Sequence, residues 1–386
     1  MFSSFGPIFP RLFAAAALQE LSFALMVHFP GYLEGLGISE ATFGVLYAAS
    51  AIIALALRPA FGKLLDLTHR RTILLYGGAI NAMLVMSLTL TNIWGPTLWA
   101  VFLAHRVVQI GLFTAILTYA ADAIPAEKRT QGLAIYGLSG LIPLALAGVL
   151  GDLVIAAAGF NGLFVMSALA MLGSFLLVRR LPTLPLLVRS PRRGFFHALM
   201  QRNLLPIWWI TLSFAVGMET VFTFTRTFVS DRGVGSTGVF FAVYGLSAAA
   251  TRIAGGNTYD RIPARSIVVV AIAAYGLALL VLGRAESLVP FMVGAAVAGS
   301  AHGAVFPVLS SSVVHRARLS ERGSAMSIFT SIFDVALLLS APLFGTLVDQ
   351  FSYRVAFTVV GAFLVLGGAV YAVWDRRMVA AEALVA

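Results

Sequence analysis

Apolar residues run along this chain in blocks too long for the core of a water-soluble domain, and charge is confined to short clusters between them. Thr72 to Ala104 and Leu133 to Gly151 contain no charged residue at all. A helix needs roughly 20 apolar residues to cross the hydrocarbon of a bilayer. The blocks therefore predict twelve transmembrane helices, at about 9–33, 41–61, 72–92, 96–121, 130–156, 160–178, 204–230, 236–254, 266–283, 288–312, 324–347 and 353–374. The first block could be mistaken for a cleaved signal, because Arg11 precedes a run of small residues. Its apolar stretch outlasts the 7–15 residues of a signal core, so it is expected to be retained.

The charged clusters then give order to the blocks. "RRLPTLPLLVRSPRRGFFHALMQRN", residues 179–203, holds six arginines, three prolines and no acid. It reads as a cytoplasmic linker, with a short interfacial helix around Phe195 to Met200. It divides the chain into an N-terminal six-helix bundle (1–178) and a C-terminal one (204–386). The two halves echo each other. Arg58, Gly62, Asp66 and Arg71 precede Arg252, Gly256, Asp260 and Arg265 by 194 residues, and Glu127 precedes Glu321 by the same offset. Internal repeats of this kind are a habit of transporters. The expected fold is an all-α polytopic membrane protein with twelve transmembrane helices in two pseudo-symmetric six-helix bundles.

Composition agrees with the pattern. Hydrophobic residues make up 60% of the 386 and charged residues 11%, well under the roughly 25% charged of a soluble domain. With a cytoplasmic N-terminus, 21 of the 26 Lys and Arg fall on cytoplasmic segments, as positive charge retained inside requires. Both termini are then cytoplasmic, in a bacterial-type plasma (inner) membrane. The net charge of +10 describes topology and contact with anionic lipid; no nucleic-acid partner is expected. There are no cysteines, the six histidines are scattered without metal-ligand spacing, and no phosphate-binding glycine loop ends in Lys. An enzyme, a metal centre, a cofactor and an ATP-driven pump are all unsupported.

"GKLLDLTHRRTIL" (62–74) resembles the loop 2–3 signature of the major facilitator superfamily in Gly62, Leu64, Asp66, Arg70, Arg71 and Leu74, departing from it at Leu67 and His69. "PGYLEGLGISEATFGVLYA" (30–48) is similar to the family's passage from helix 1 to helix 2. "RVVQIG" (106–111) resembles its helix 4 pattern, with Ile110 inserted. The resemblance implies the twelve-helix drug or metabolite:proton antiporter branch, alternating access, and a central cavity lined by helices 1, 4, 7 and 10.

A charge in mid-bilayer costs at least about 2.5–3.5 kcal/mol on insertion scales, so it normally lines a cavity or finds a partner. Glu20, Arg106, Glu219, His302 and Asp334 lie well inside spans. Glu219, Thr223 and Arg226 stand at i, i+4 and i+7, a polar stripe on one helix face. Arg106 and Gln109 share a face, as do Thr330, Ser331 and Asp334. Each has a structural alternative: Arg106 as a partner of backbone carbonyls or Glu20, Asp334 and His302 as packing residues. The functional reading makes Glu20 and Glu219 protonatable carboxyls tuned by Arg106; the resemblance implies the role of Arg106 in proton coupling. The seventh-span stripe, Gln109, His302 and Asp334 complete the expected substrate and proton set.

Loop 2–3 and its copy suggest a mechanical role. A carboxylate at the end of one helix can dock on the exposed N–H groups that begin another, and small residues permit close approach. Asp66 and Asp260, with Gly62, Gly256 and the cations Arg58, Arg70, Arg71, Arg252 and Arg265, form a candidate conformational latch. A purely topological role for the cations is the alternative. The expected activity is secondary active transport of a small-molecule substrate by a monomer in contact with membrane lipid. Proton-coupled export of a small, partly apolar organic compound is the primary reading. Import or facilitation of a small anionic metabolite is the alternative, with Arg106, Arg226 and His302 binding the anion. "GLSGLIPLALAGVLGD" (137–152) has the glycine content of family exporters and lacks their Gly-Pro step.

Overall fold

The computed structural model describes residues 5–91, 93–125, 132, 135–185, 195–255, 261–318 and 321–383. Among them there is helix and no strand. The first span is α1 (Phe9–Ala24), a 3₁₀ turn (Leu25–His28) and α2 (Phe29–Gly35). Then come α3 (Glu40–Leu67), α4 (Arg70–Ser87), α5 (Pro96–Ala123) and the 42-residue α6 (Leu138–Arg179). A short α7 (Phe195–Leu199) lies in the predicted linker. The remainder is α8 (Leu205–Arg232), α9 (Thr237–Gly255), α10 (Ala264–Leu282), α11 (Leu288–Arg316), α12 (Arg322–Gln350) and α13 (Tyr353–Ala383).

Eleven of the described helical segments are long and apolar enough to cross a membrane. α6 is two of the predicted spans joined: Gly159 sits inside it at φ 65, ψ −168, outside helical geometry. That left-handed conformation is open to glycine at little steric cost. The polytopic all-helical expectation therefore holds, with spans five and six meeting at one glycine.

Local chemistry places the helix ends. Proline occupies the first turn of α1, α2, α5 and α8, where its missing N–H costs nothing. Gly233 ends α8 in the left-handed conformation, with its N–H on Val229 O. Pro59, Pro143, Pro307 and Pro342 lie inside helices, and membrane helices tolerate them because neighbouring groups re-satisfy the freed carbonyls. The large exposed side chains include Ile52, Leu90, Leu153, Val270, Leu343 and Leu366. An apolar exterior is what a lipid solvent selects.

The chain forms two compact units: 1–38 with 52–188 and 236–245, and 39–51 with 189–235 and 246–386. In the first, α1 and α4 pack on α6, and α4 packs on α5. In the second, α12 and α13 pack on α8, while α11 and α13 pack on α10. The first thirteen residues from Ser39 belong to the second unit, and the ten from Ser236 to the first. α3 and α9 each begin in one unit and continue in the other.

Candidate functional site

In the first unit, α1 carries Glu20 beside Gln19, which is 1% exposed. The Glu20 carboxyl lies within electrostatic reach of the Tyr136 hydroxyl, and no counter-ion acts on it among the described residues. About three turns into α5, Arg106 is half-buried and donates through Nη1 to Gln109 Oε1 at 2.8 Å. The predicted shared face of these two residues is thus a direct hydrogen bond.

His105 points elsewhere. It is fully buried, with Nδ1 2.9 Å from Asn81 Oδ1 on α4 and its ring edge-on to Phe23. Nothing in the sequence singled out Asn81. One asparagine amid apolar residues is a weak signal until its partner is known. Ser22 and Ser167 make a second buried pair at 3.0 Å.

In the second unit, the stripe on α8 is present. Thr223 is buried, while Glu219 and Arg226 are half-buried. His302 on α11 sits among rings: Phe214 at 5.5 Å in T-shaped contact, Phe306 at 6.2 Å and Phe222 at 6.4 Å between centroids. Phe306 continues to Phe329 and Phe333 on α12. The Arg252 guanidinium stands 5.9 Å from the Phe306 centroid, at the outer limit of a cation–π contact. Asp334 follows Phe333 and is half-buried. Thr330 and Ser331 both donate to Ser327 O, so hydroxyls that the sequence groups with Asp334 also serve their own helix backbone.

Part of the candidate latch lies outside the described residues: Gly256 and Asp260 entirely, and the side chain of Asp66 together with any Cβ-level surroundings of Gly62. Glu127 lies outside them too. The cations of the first loop serve as ties within their unit. Arg70, 5% exposed, pairs with Asp122 at 3.3 Å, Arg71 donates to Arg179 O at 2.8 Å, and His69 meets Leu184 O at 3.1 Å. In the second loop Arg265 lies within electrostatic reach of Tyr371, close to the ion pair of Arg316 and Asp375 at 2.5 Å. Arg58 is half-buried.

The described residues contain no cluster able to hold a metal ion. An open groove of about 560 Å³ between α10 and α11, lined by Ile262, Ser266, Val270, Ala274, Ala296 and Ser300 among others, holds none of the predicted site residues. Its apolar walls suit lipid rather than chemistry.

Sequence reading also missed a second repeat. "GVLGD" (148–152) and "GTLVD" (345–349) share Gly-x-Leu-x-Asp at an offset of 197. At the same offset stand Ser39 and Ser236, Phe43 and Phe240, Tyr47 and Tyr244, and His105 and His302. The loop repeat at 194 masks this signal, which lies three residues out of that register.

A family model described as Major Facilitator Superfamily matches residues 12–283 and 234–384. The chain belongs to that superfamily. It is a multi-pass membrane transporter and not an enzyme. It is 27% identical over 358 residues to an uncharacterized MFS-type transporter of Pseudomonas aeruginosa, covering 90% of this chain and 88% of the relative. Among solved structures it resembles the POT family transporter PepTSo, with a TM-score of 0.81, 12% identity, and 95% and 97% of the two chains covered. It also resembles the nucleoside transporter NupG, with a TM-score of 0.72, 14% identity, and 95% and 98% covered. At these identities the two structures speak for the fold alone.

Proposed function

We propose that this transporter exports a small, partly apolar organic compound in exchange for protons, by alternating access. The observation that carries the reading is the Glu20 carboxyl, placed in a transmembrane helix with a phenol in electrostatic reach and no counter-ion acting on it among the described residues. Such a carboxyl changes protonation state when water or a cation reaches it, because burial and charge act on it in opposite senses. Arg106, steadied by Gln109, supplies a fixed positive charge in the same unit. Glu219 on α8 is the second carboxyl of the mechanism, with Thr223 and Arg226 on its stripe and Asp334 and His302 as further polar contacts. The half-buried Phe222, Phe306 and Phe333 near His302 offer apolar surface to the substrate.

In this reading the bundles 1–178 and 204–386, joined by the 179–203 linker, exchange access in a monomer. The protein lies in a bacterial inner membrane with both termini cytoplasmic. The Asp66 and Asp260 loops latch the cytoplasmic side. Import or facilitation of a small anionic metabolite is the second reading, favoured by the half-buried Arg226 and Arg252 in the C-terminal half.

The deciding experiment is substrate-induced thermal shift across a metabolite and drug panel, followed by proton flux in proteoliposomes at two pH values. Counterflow of protons and a lipophilic hit is expected, and Glu20→Gln should bind the hit without moving protons. Transport of the hit with no response to a proton gradient sinks the export reading in favour of facilitation.

A further inference from the structure

One face of α13 stays exposed along its whole span. Val355, Val359, Leu366, Val370 and Val373 are all exposed, and they follow one another at three, four or seven residues, so they share one side of the helix. The opposite side is packed: Phe357, Leu364, Tyr371 and Asp375 are buried. In a bilayer the exposed stripe lies against acyl chains.

Toward the end of this span the stripe becomes hollow. A groove of about 490 Å³ is lined by Ala369, Val370, Val373, Trp374 and Arg377. Its lining changes in order along the helix, from small apolar groups to an indole and then a guanidinium. Those residues cover about 12 Å at the rise of an α-helix. Half of a hydrocarbon core is about 15 Å, so the groove runs from within one leaflet to its boundary with water. Indole and guanidinium are the groups that settle at that boundary.

The positive charge there is not cancelled by the acid beside it. Asp375 is buried, and its carboxylate is taken by Arg316 on α11. Arg376 and Arg377 are exposed. The groove between α10 and α11 offers the contrast. It is larger, about 560 Å³, yet its lining contains no charged or aromatic residue. An acyl chain can lie in either groove. Only the one on α13 can also hold a phosphate.

We propose that the groove at the end of α13 is a seat for one anionic phospholipid, with an acyl chain along Val373, Val370 and Ala369 and its phosphate on Arg377. Trp374 meets the glycerol region, where a ring with one apolar and one polar edge is at home. Arg376 sets the choice of headgroup: a zwitterionic lipid brings its own cation beside that arginine, whereas an anionic one brings none. The seat requires nothing of transport substrate, direction or coupling.

The full-length protein is purified in mild detergent and titrated with phosphatidylglycerol or phosphatidylcholine. Bound lipid is counted by native mass spectrometry, and thermal unfolding is followed in parallel. One phosphatidylglycerol should be retained per chain and raise the unfolding temperature, as a ligand of the folded state does. Phosphatidylcholine should bind about fivefold more weakly. Arg377→Gln should weaken phosphatidylglycerol about fivefold, the worth of one basic residue near an anionic surface, while Arg377→Lys keeps most of the affinity. Ala369→Leu fills the groove and should lower retention of both lipids. Ala296→Leu, in the other groove, should leave the phosphatidylglycerol titration unchanged.

Equal affinity of the wild type for the two lipids overturns the seat, as does an Arg377→Gln chain that keeps its phosphatidylglycerol. Two other results overturn it by naming a different occupant. A dimer abolished by Ala369→Leu means that a second copy covers this face. Displacement of the lipid by inorganic phosphate, with full retention in Ala369→Leu, means a bare anion site. Circular dichroism checks the fold of each variant, and Arg376→Gln supplies a second loss of similar size if Arg377→Gln fails to fold.

Discussion

The repeated histidines of the two units stand in different company, although one offset of 197 relates their positions. Near α5, His105 is held by a hydrogen bond to Asn81, and Arg106 by one to Gln109. Near α11, the matching His302 stands among Phe214, Phe222 and Phe306. What repeats between the halves is mechanical: capped helix starts at Ser39 and Ser236, close-approach glycines at Gly148 and Gly345, and the histidine positions. What differs is chemical. His105 meets an amide oxygen, while His302 meets aromatic rings. In the proposed cycle, a duplicated scaffold keeps its repeated helix starts alike while the surroundings of its repeated histidines diverge.

The comparison can be broken most sharply at the charge of the first unit. Arg106→Ala should abolish gradient-driven accumulation in proteoliposomes while leaving the protein folded; full accumulation in that variant removes Arg106 from coupling. The ring cluster of the second unit is next. Phe214 is fully buried, and Phe214→Ala should cost about 3–5 kcal/mol in stability, read as a large fall in the temperature of unfolding in detergent. A shift no larger than that of an exposed-site control would show that the rings are not a packed unit.

Removing Asn81 tests the polar side of the contrast. Asn81→Ala leaves the buried His105 Nδ1 without its hydrogen bond, at a cost of about 1–3 kcal/mol, measured by the same thermal unfolding. A stability loss as large as that of Phe214→Ala would erase the distinction drawn between the units. The smallest effect is expected at Tyr353→Phe, which removes the hydroxyl shared by Glu40 and Thr227. That change should cost about 0.5–1.5 kcal/mol and loosen the α3 start, seen as faster amide exchange near Ala41 with no change near Gly238. Equal change at both helix starts would mean that their surroundings are not independent.

Much of this was legible from residues alone. Block length and the scarcity of charge gave the membrane helices, because a span of hydrocarbon imposes a minimum run of apolar residues whatever those helices touch. The loop signature at Gly62 to Leu74 pointed to the superfamily, and the spacing of Arg106 and Gln109 put them on one helix face; their hydrogen bond is the structure's addition. The break at Gly159 was legible only as an edge between two blocks; its left-handed backbone was not.

What only tertiary structure decided is which distant residues meet. Asp152 and Asp349 look like ordinary helix-end acids until Gly238 and Ala41 are seen offering them N–H groups. Asn81 looks incidental until His105 is beside it. Hydrophobicity and helical period act within a single segment, so the linear order of residues carries them fully. A hydrogen bond between helices depends on which faces pack and at what depth, and that is settled by the joint fit of many side chains.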